Sequence, residues 1–366
     1  MRHVELIQMI KSKIRIHLTN VSGTGAVQLL KCLLPSLEMY ETCRVESIYL
    51  PDRGEMSTYL STDETTEIVI YHRNLFNVVS RLIECIFTSS VFDKNTPLLV
   101  LGDLPLRVSC LQTVFVQNSH LLKSNKISFF NFKYFVSRAI FRFNLPFVDA
   151  VIVQTPIMFD LFKRHYPWFR GGVHTIPQPV PNWLLKGSIR RDRSNWSSGR
   201  KLKLIYPAAE YPHKNHSLLA CIESDSALPI EQLILTMDPK RNPACHLNWI
   251  RCVGLLSSDG MLAAYSKIDG LLFLSKEESY GFPLIEAMHI GVPIICPDLP
   301  YARILCGSEA IYFDSNDHES LKFAINELFS RLNKGWWPDW RNQLLDIPKD
   351  WDAIAKKFLD IAVNPR

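Results

Sequence analysis

No stretch of the 366-residue chain approaches the roughly 20 consecutive apolar residues that a membrane-spanning helix needs. The segment Met1 to Arg15 mixes Arg, His, Glu and Lys with its apolar residues and has no uninterrupted apolar core, so it does not read as a secretory signal. Metal or redox cysteine spacing is absent. The nine cysteines, at positions 32, 43, 85, 110, 221, 245, 252, 296 and 306, include no Cys-x-x-Cys. An odd, scattered set, with Cys85 and Cys296 inside apolar runs, argues against a disulfide framework or a zinc site and fits a reducing cytoplasm. Strong charge of one sign is lacking too: 41 Lys+Arg against 36 Asp+Glu leave +5, too little to argue for nucleic acid. Internal repeats and low-complexity tracts are absent.

What remains suits ordinary globular cores, with 47% hydrophobic and 21% charged residues. The length predicts two domains. Short apolar runs alternate with helix-length periodic segments, the pattern of a parallel α/β sheet. In the first half Ile14–Leu18, Pro97–Leu101, Thr113–Gln117 and Ala150–Gln154 read as buried strands, and Ala26–Leu34 as an amphipathic helix. Ile176-Pro-Gln-Pro-Val-Pro181 is too proline-rich for a helix or central strand, and the charged Arg190–Lys201 reads as an exposed linker. Strands then recur at Leu202–Tyr206, Gln232–Leu235, Gly270–Leu274 and Val292–Cys296. The predicted division is a first domain over 1–180, a linker over 181–201, a second domain over 202–348 and a final helix over 349–366 crossing back to the first domain. Two doubly wound Rossmann-like domains would face each other across a cleft, with ligands beyond the carboxyl ends of the strands.

The densest chemistry lies between the strand Gly270–Ser275 and the helix predicted over Phe282–Ile290. Pro283 suits a first turn, which needs no amide hydrogen, and Gly291 suits the stop. The loop Lys276–Gly281 therefore presents backbone amides at a helix N-terminus, a site for a diphosphate, and Gly281 allows close backbone approach. Glu278 in the loop and Glu286 one turn into the helix can accept hydrogen bonds from sugar hydroxyls. On spacing alone, Glu286 can equally be a carboxylate that favours the helix dipole. The identity of the intervening residues favours the first reading.

The stretch Glu278-Ser-Tyr-Gly-Phe-Pro-Leu-Ile-Glu286 resembles glycosyltransferase family 4, which has the GT-B fold and carries two glutamates with seven residues between them, Gly-Phe-Pro or similar among these. The resemblance continues through Gly291-Val-Pro-Ile-Ile-Cys-Pro-Asp298, Pro300-Tyr-Ala-Arg303, Cys306-Gly and Ala310-Ile-Tyr-Phe-Asp314. It implies a retaining hexosyltransferase that uses a GDP- or UDP-linked sugar, with no metal and no other cofactor. Glu278 would contact the donor sugar and Glu286 the nucleotide ribose, with Ser279, Tyr280, Gly281 and Phe282 also on the donor. In Tyr206-Pro-Ala-Ala-Glu-Tyr-Pro-His-Lys-Asn-His216, Lys214 matches the lysine that the family sets on the donor diphosphate, where an ammonium offsets charge on the leaving group. The family's arginine at this place is replaced by Ala209, with Arg303 and Lys276 as candidate substitutes. Leu255–Tyr265 matches the region where the family holds the base, through largely backbone groups.

In the first half, Ser22-Gly-Thr-Gly25 follows a strand and opens a helix. A glycine pair there can be a simple tight turn; the resemblance assigns Gly23 and Gly25 to a loop approaching the donor. Gln117-Asn118 stands where many family members have a histidine. Asn118 is therefore a candidate for the reacting centre, and His120 is either a second candidate or an ordinary loop residue. From Leu104 to Val148 there is no Asp or Glu, and basic residues interleave with phenylalanines over 123–143. That stretch reads as a helix packed on its own domain or as peripheral contact with an anionic membrane carrying a lipid-linked acceptor. The tryptophans of Trp336–Trp340 read as packing elements. The implied activity is sugar transfer to a glycan or polyprenyl-linked acceptor in bacterial O-antigen, capsule or lipopolysaccharide synthesis. The alternatives are an attenuated, donor-binding partner subunit and a nucleotide-sugar epimerase on the same scaffold.

Overall fold

The computed structural model describes residues 12–21, 23–71, 84–86, 92–122, 132–224 and 227–365. The chain divides into two compact units, Met1–Gln178 with Asp350–Arg366, and Pro179–Lys349.

The first unit holds a seven-stranded sheet in the order β3-β2-β1-β4-β5-β6-β7. Its strands are β1 (Ser12–His17), β2 (Cys43–Pro51), β3 (Glu67–Tyr71), β4 (Leu98–Val100), β5 (Gln112–Val116), β6 (Ala150–Val153) and β7 (Gly172–Thr175), all paired in parallel. β4, β5 and β6 are buried at every position, as expected where both faces of a parallel sheet are covered. Its helices include α1 (Thr24–Glu38), α2 (Phe132–Asn144) and α3 (Pro156–His165). α1 runs four residues beyond Leu34, through Pro35. The proline forfeits one helical hydrogen bond, but Leu33, Leu34 and Leu37 are fully buried and hold the extra turn. The C-terminal helix Trp351–Val363 belongs to this unit; its Phe358 meets Phe115 of β5 edge-on at 5.0 Å.

The second unit holds a six-stranded parallel sheet in the order β10-β9-β8-β11-β12-β13. The strands are β8 (Leu202–Tyr206), β9 (Ile230–Leu235), β10 (Ile250–Cys252), β11 (Gly270–Leu272), β12 (Ile294–Pro297) and β13 (Ile311–Phe313). Its helices are α4 (Asn182–Lys186), α5 (Ser258–Tyr265), α6 (Phe282–Ile290), α7 (Pro300–Cys306), α8 (His318–Asn333) and α9 (Arg341–Leu344). The segment 181–201, expected as a linker, falls within this unit, and Arg190–Lys201 is largely exposed, as expected, while bonded to the unit at a few points. The Arg191 amide donates to the Ile290 carbonyl at 2.6 Å, and Arg200 pairs with the buried Asp269 at 2.6 and 3.0 Å. Arg191 and Arg200 thus serve internal bonds, which composition alone does not reveal. Trp337 and Trp340 donate their indole N–H groups to the carbonyls of Gly291 and Val292 at 2.7 and 2.9 Å, tying down the end of α6.

Each sheet reverses its strand order at one place, between β1 and β4 in the first unit and between β8 and β11 in the second. Open α/β sheets take their ligands at such points, beyond the carboxyl ends of the strands. Among the described residues no helix is long and apolar enough to cross a membrane.

Candidate active site

At the reversal point of the second unit, the loop after β8 and the loop after β11 bring Lys214 and Glu278 together. Lys214 Nζ donates to Glu278 Oε1 at 2.6 Å, with the two side chains only 16% and 11% exposed. Each side chain is placed by its loop. Lys214 ends a 3-10 turn, Pro212–Lys214, and the next residue, Asn215, takes a left-handed conformation at φ 57°. Asparagine tolerates that conformation better than most residues, and its side-chain amide is anchored on the Ser315 carbonyl at 2.9 Å. The buried Tyr206 hydroxyl donates to the Lys214 carbonyl at 2.7 Å. The two loops are stitched together, since the Lys276 amide donates to the His213 carbonyl at 2.7 Å. The Ser275 hydroxyl bonds the Glu277 carbonyl at 2.9 Å, and the Tyr301 hydroxyl donates to the Ser275 carbonyl. His216 lies against the Tyr206 ring, 4.9 Å between centroids, and burial pushes its pKa down to about 4, so it is neutral at pH 7.

Glu278 and Glu286 are brought into different settings. Glu286 is 7% exposed on α6 and accepts a 2.6 Å hydrogen bond from the Tyr265 hydroxyl. Burial raises its pKa from the usual carboxylate range to about 7, against the lowering effect of the Tyr265 bond. Tyr265 is itself stacked on Trp183 of α4, with ring centroids 6.3 Å apart and planes 13° from parallel.

The glycine at 281 has a conformational task in the fold. It caps α6 at φ 85°, a conformation that a side chain rarely adopts, and a Cβ there would press Leu305 at 3.2 Å. The fold itself therefore requires glycine at this position. Pro283 has no N–H, and the amides of Leu284 and Ile285 turn back onto the Gly281 carbonyl. Phe282 thus supplies the first-turn amide able to face an anion. The Tyr280 side chain, expected on the donor, is 4% exposed and packs in the core edge-on to Phe282 at 4.9 Å. Only its backbone is placed to meet a ligand, as is the half-buried Ser279 beside it. Of the two proposed substitutes for the missing arginine, Arg303 is bidentate on Asp298 at 2.6 and 2.8 Å, and Lys276 bonds Asn316 at 2.8 Å. Ala209 instead lines a cavity of about 480 Å³ together with Glu210. Arg241, missed from sequence, pairs with Glu210 at 2.8 Å; the available signal was the basic turn Asp238-Pro-Lys-Arg241 directly after a strand.

In the first unit, Gly23 and Gly25 lie beyond β1 and open α1. Neither has a positive φ, and a Cβ on either would meet no atom of the described residues within 4 Å. Among the described residues there is no steric need for glycine there. Gly25→Ala is accordingly expected to leave the melting temperature unchanged or to raise stability by up to about 1 kcal/mol. If a donor packs on this loop, the same change should lower transfer at least severalfold; unaltered kcat/KM would remove Gly25 from the site.

Beyond β5, the amides of Gln117 and Asn118 donate to Asp103 Oδ1 at 2.6 and 3.1 Å, and Asn118 Oδ1 accepts from the His120 amide at 3.0 Å. Asn118 therefore shapes this turn with its own side chain, and His120 is half-buried on it. Asp103, held at φ 67°, was not anticipated. Neither was the buried group beside the glycine loop, where His17 Nε2 and Glu84 Oε1 lie 2.9 Å apart and Thr19 bonds the same carboxylate. Glu223, His318 and Glu319 bring potential metal ligands within 4.8 Å of one another, but Lys322 bonds both carboxylates at 3.3 and 2.8 Å and serves there as the cation.

No protein-family model matches the sequence. Over 135 residues, the chain is 26% identical to the O-antigen chain mannosyltransferase RfbU of Salmonella typhimurium, a match covering 33% of this chain and 36% of that protein. The matched segment thus spans about a third of the length of this curated relative. Among solved structures, sucrose-phosphate synthase from Thermosynechococcus elongatus superimposes with a TM-score of 0.65 at 18% identity, over 97% of this chain and 99% of the other. WaaG, a glycosyltransferase involved in lipopolysaccharide biosynthesis, gives a TM-score of 0.65 at 13% identity, over 95% and 99%. The chain has the GT-B fold, with two Rossmann-like units, and resembles O-antigen glycosyltransferases.

Proposed function

We propose that the chain is a retaining hexosyltransferase that moves a sugar from a nucleotide diphosphate to a glycan or polyprenyl-linked acceptor of a bacterial surface polysaccharide. The observation that carries this reading is the Lys214–Glu278 pair at the strand-order reversal of the second unit, 2.6 Å between charged atoms. An acceptor hydroxyl attacks the anomeric carbon, and the nucleotide diphosphate leaves from the same face. Lys214 and the Phe282 amide stabilise the charge that develops on the departing phosphate, which takes up the acceptor proton. Glu278 orients the transferred sugar through its hydroxyls, and Glu286 holds the ribose. No step is assigned to a metal. Within the first unit, the residues proposed to meet a substrate are Gly23, Gly25, Asn118 and His120.

Peripheral contact with an anionic membrane belongs to the same proposal. Residues 123–131 lie outside the described residues, but in α2 Phe143 is 68% exposed and Arg142 lies 5.7 Å over the exposed Trp168 ring. Aromatic and cationic groups side by side suit a headgroup layer.

The test is transfer from a panel of GDP-, UDP- and dTDP-sugars to a polyprenyl-linked acceptor in anionic vesicles, at low and high salt. Product with retained anomeric configuration is expected, with Glu278→Gln at least tenfold slower and vesicle binding reduced by salt. Epimerised donor would replace this reading by an epimerase. Donor binding with no transfer would leave a partner subunit, the outcome to which the substitution at Ala209 points.

A further inference from the structure

In each sheet the strand beside the reversal point ends on a buried side chain that hydrogen-bonds, His17 in β1 and Tyr206 in β8. Tyr206 holds the loop after its own strand, through the Lys214 carbonyl at 2.7 Å. His17 does the same in the first unit with different chemistry. Its Nε2 lies 2.9 Å from Glu84 Oε1 and 3.2 Å from Thr19 Oγ1, and the Thr19 hydroxyl donates to the same carboxylate oxygen. The hydroxyl has a single hydrogen, already given to Glu84. Both oxygens facing Nε2 are therefore acceptors, and Nε2 carries the hydrogen of the ring. The neighbouring rings are Tyr49 and Phe92, with centroids 6.3 and 6.4 Å away, and His17 Nδ1 has no hydrogen-bond partner among the described residues. The ring is thus satisfied in one orientation, the one that turns Nε2 to Glu84 and Thr19.

Stability does not ask for this arrangement. His17 is 2% exposed, and Thr19 and Glu84 are 1% exposed. A carboxylate withdrawn from water to that degree is less favourable than a well-packed apolar side chain, and β1 already buries Ile14 and Ile16 completely. What the polar group achieves is the placing of the chain after β1. Thr19 is fixed on Glu84, and the side-chain amide of Asn20 reaches Cys85 Sγ at 4.0 Å. On another side Gly102, beyond β4, allows close approach, since a Cβ there would stand 3.1 Å from Asn20 Cβ. The Val21 amide closes a turn on the Leu18 carbonyl at 2.9 Å, and the Leu18 amide is joined to the Tyr49 carbonyl of β2 at 2.9 Å. Gly23 and Gly25 follow directly, and neither has a positive φ that would fix its own course.

Resting on the reading of Gly23 and Gly25 as a substrate loop, we propose that His17 is a positioning residue for sugar transfer. Together with Glu84 it holds Thr19, and so sets where the chain after β1 presents the two glycines to the substrate.

Hydrogen exchange of the full chain, read on peptides over 18–25 and compared with peptides over β5, tests the anchor without any substrate. Thr19→Val removes the hydroxyl and little else, His17→Leu removes the imidazole donor, and His17→Gln returns an N–H near the place of Nε2. In the first two variants the 18–25 peptides should exchange about tenfold faster while β5 keeps its protection, and His17→Gln should recover most of the difference. Thr19→Val, the milder change, decides the matter if His17→Leu does not fold. In transfer assays the same two variants should lose about tenfold in kcat with a smaller change in donor KM, the split expected when a group acts on the transition state more than on binding. Exchange unchanged over 18–25, or raised equally over 18–25 and β5, would overturn the anchor. A loosened loop with unchanged kcat would overturn its part in transfer. If the unaltered chain transfers no sugar, the transferase reading and the part in transfer fall together, while the exchange data separately decide whether His17 holds the loop.

Discussion

Lys214→Met is expected to lower turnover by about a hundred- to a thousandfold while the chain stays folded. The ammonium has three donors and gives one to Glu278 at 2.6 Å, where the two side chains are largely withdrawn from water. A cation held this way needs little reorganisation when charge develops on a leaving diphosphate. Its removal should therefore lower kcat more than it raises the donor KM. The single substitution also leaves the Glu278 carboxylate without its counter-ion, at a cost below the roughly 3–5 kcal/mol seen for fully buried pairs. Combining Lys214→Met with Glu278→Gln removes both charges and should recover most of that stability without recovering turnover. Turnover rising with the melting temperature in the double variant would mean that the pair is structural.

Glu286→Gln should strengthen the fold above pH 7 and weaken donor binding. Burial raises the Glu286 pKa to about 7, whereas the unfolded chain has the ordinary carboxylate value. Below the unfolded pKa both states are protonated and the group has no effect. As pH rises toward 7 the unfolded chain ionises first, so stability falls through that window and stays reduced above it. The penalty removed by glutamine is of the order of 3 kcal/mol, read as a higher melting temperature at pH 8 and no change at pH 4. The ionised carboxylate is the better acceptor for ribose hydroxyls, so donor affinity in the unaltered chain should rise as pH passes 7. The variant should bind about tenfold more weakly with no such dependence. Equal pH profiles for the two proteins would sever Glu286 from the donor.

These expectations show where sequence was informative. Buried parallel strands such as Thr113–Gln117 and Ala150–Gln154 were legible because they are short, mostly apolar runs bounded by polar residues. β2 was not, since Arg44 and Glu46 interrupt its apolar residues, and β3 offers only a short half-exposed run, Ile68–Tyr71, at the sheet edge. α1 was cut short at Pro35 because a local rule was overridden by burial of Leu37. In the site, the motif around Gly281 was legible, but the reason for its glycine was not; a left-handed cap is a property of the folded turn. Arg241 and Trp183 were missed for a related cause. Each acts through a side chain distant in sequence, Glu210 or Tyr265, and no spacing rule announces such a meeting.

The helix Trp351–Val363 has a consequence for biosynthesis. Thr113 of β5 bonds the Ile361 carbonyl across 248 residues, and Phe115 packs on Phe358. A nascent chain leaves the ribosome from its N-terminus, so the strands of the first unit emerge long before the helix that covers them. The second unit, contiguous over Pro179–Lys349, can complete its core first. The unit that begins folding earliest is thus completed last, and meanwhile carries apolar surface on α1 and β5 that a chaperone, or a misfolded contact, can occupy.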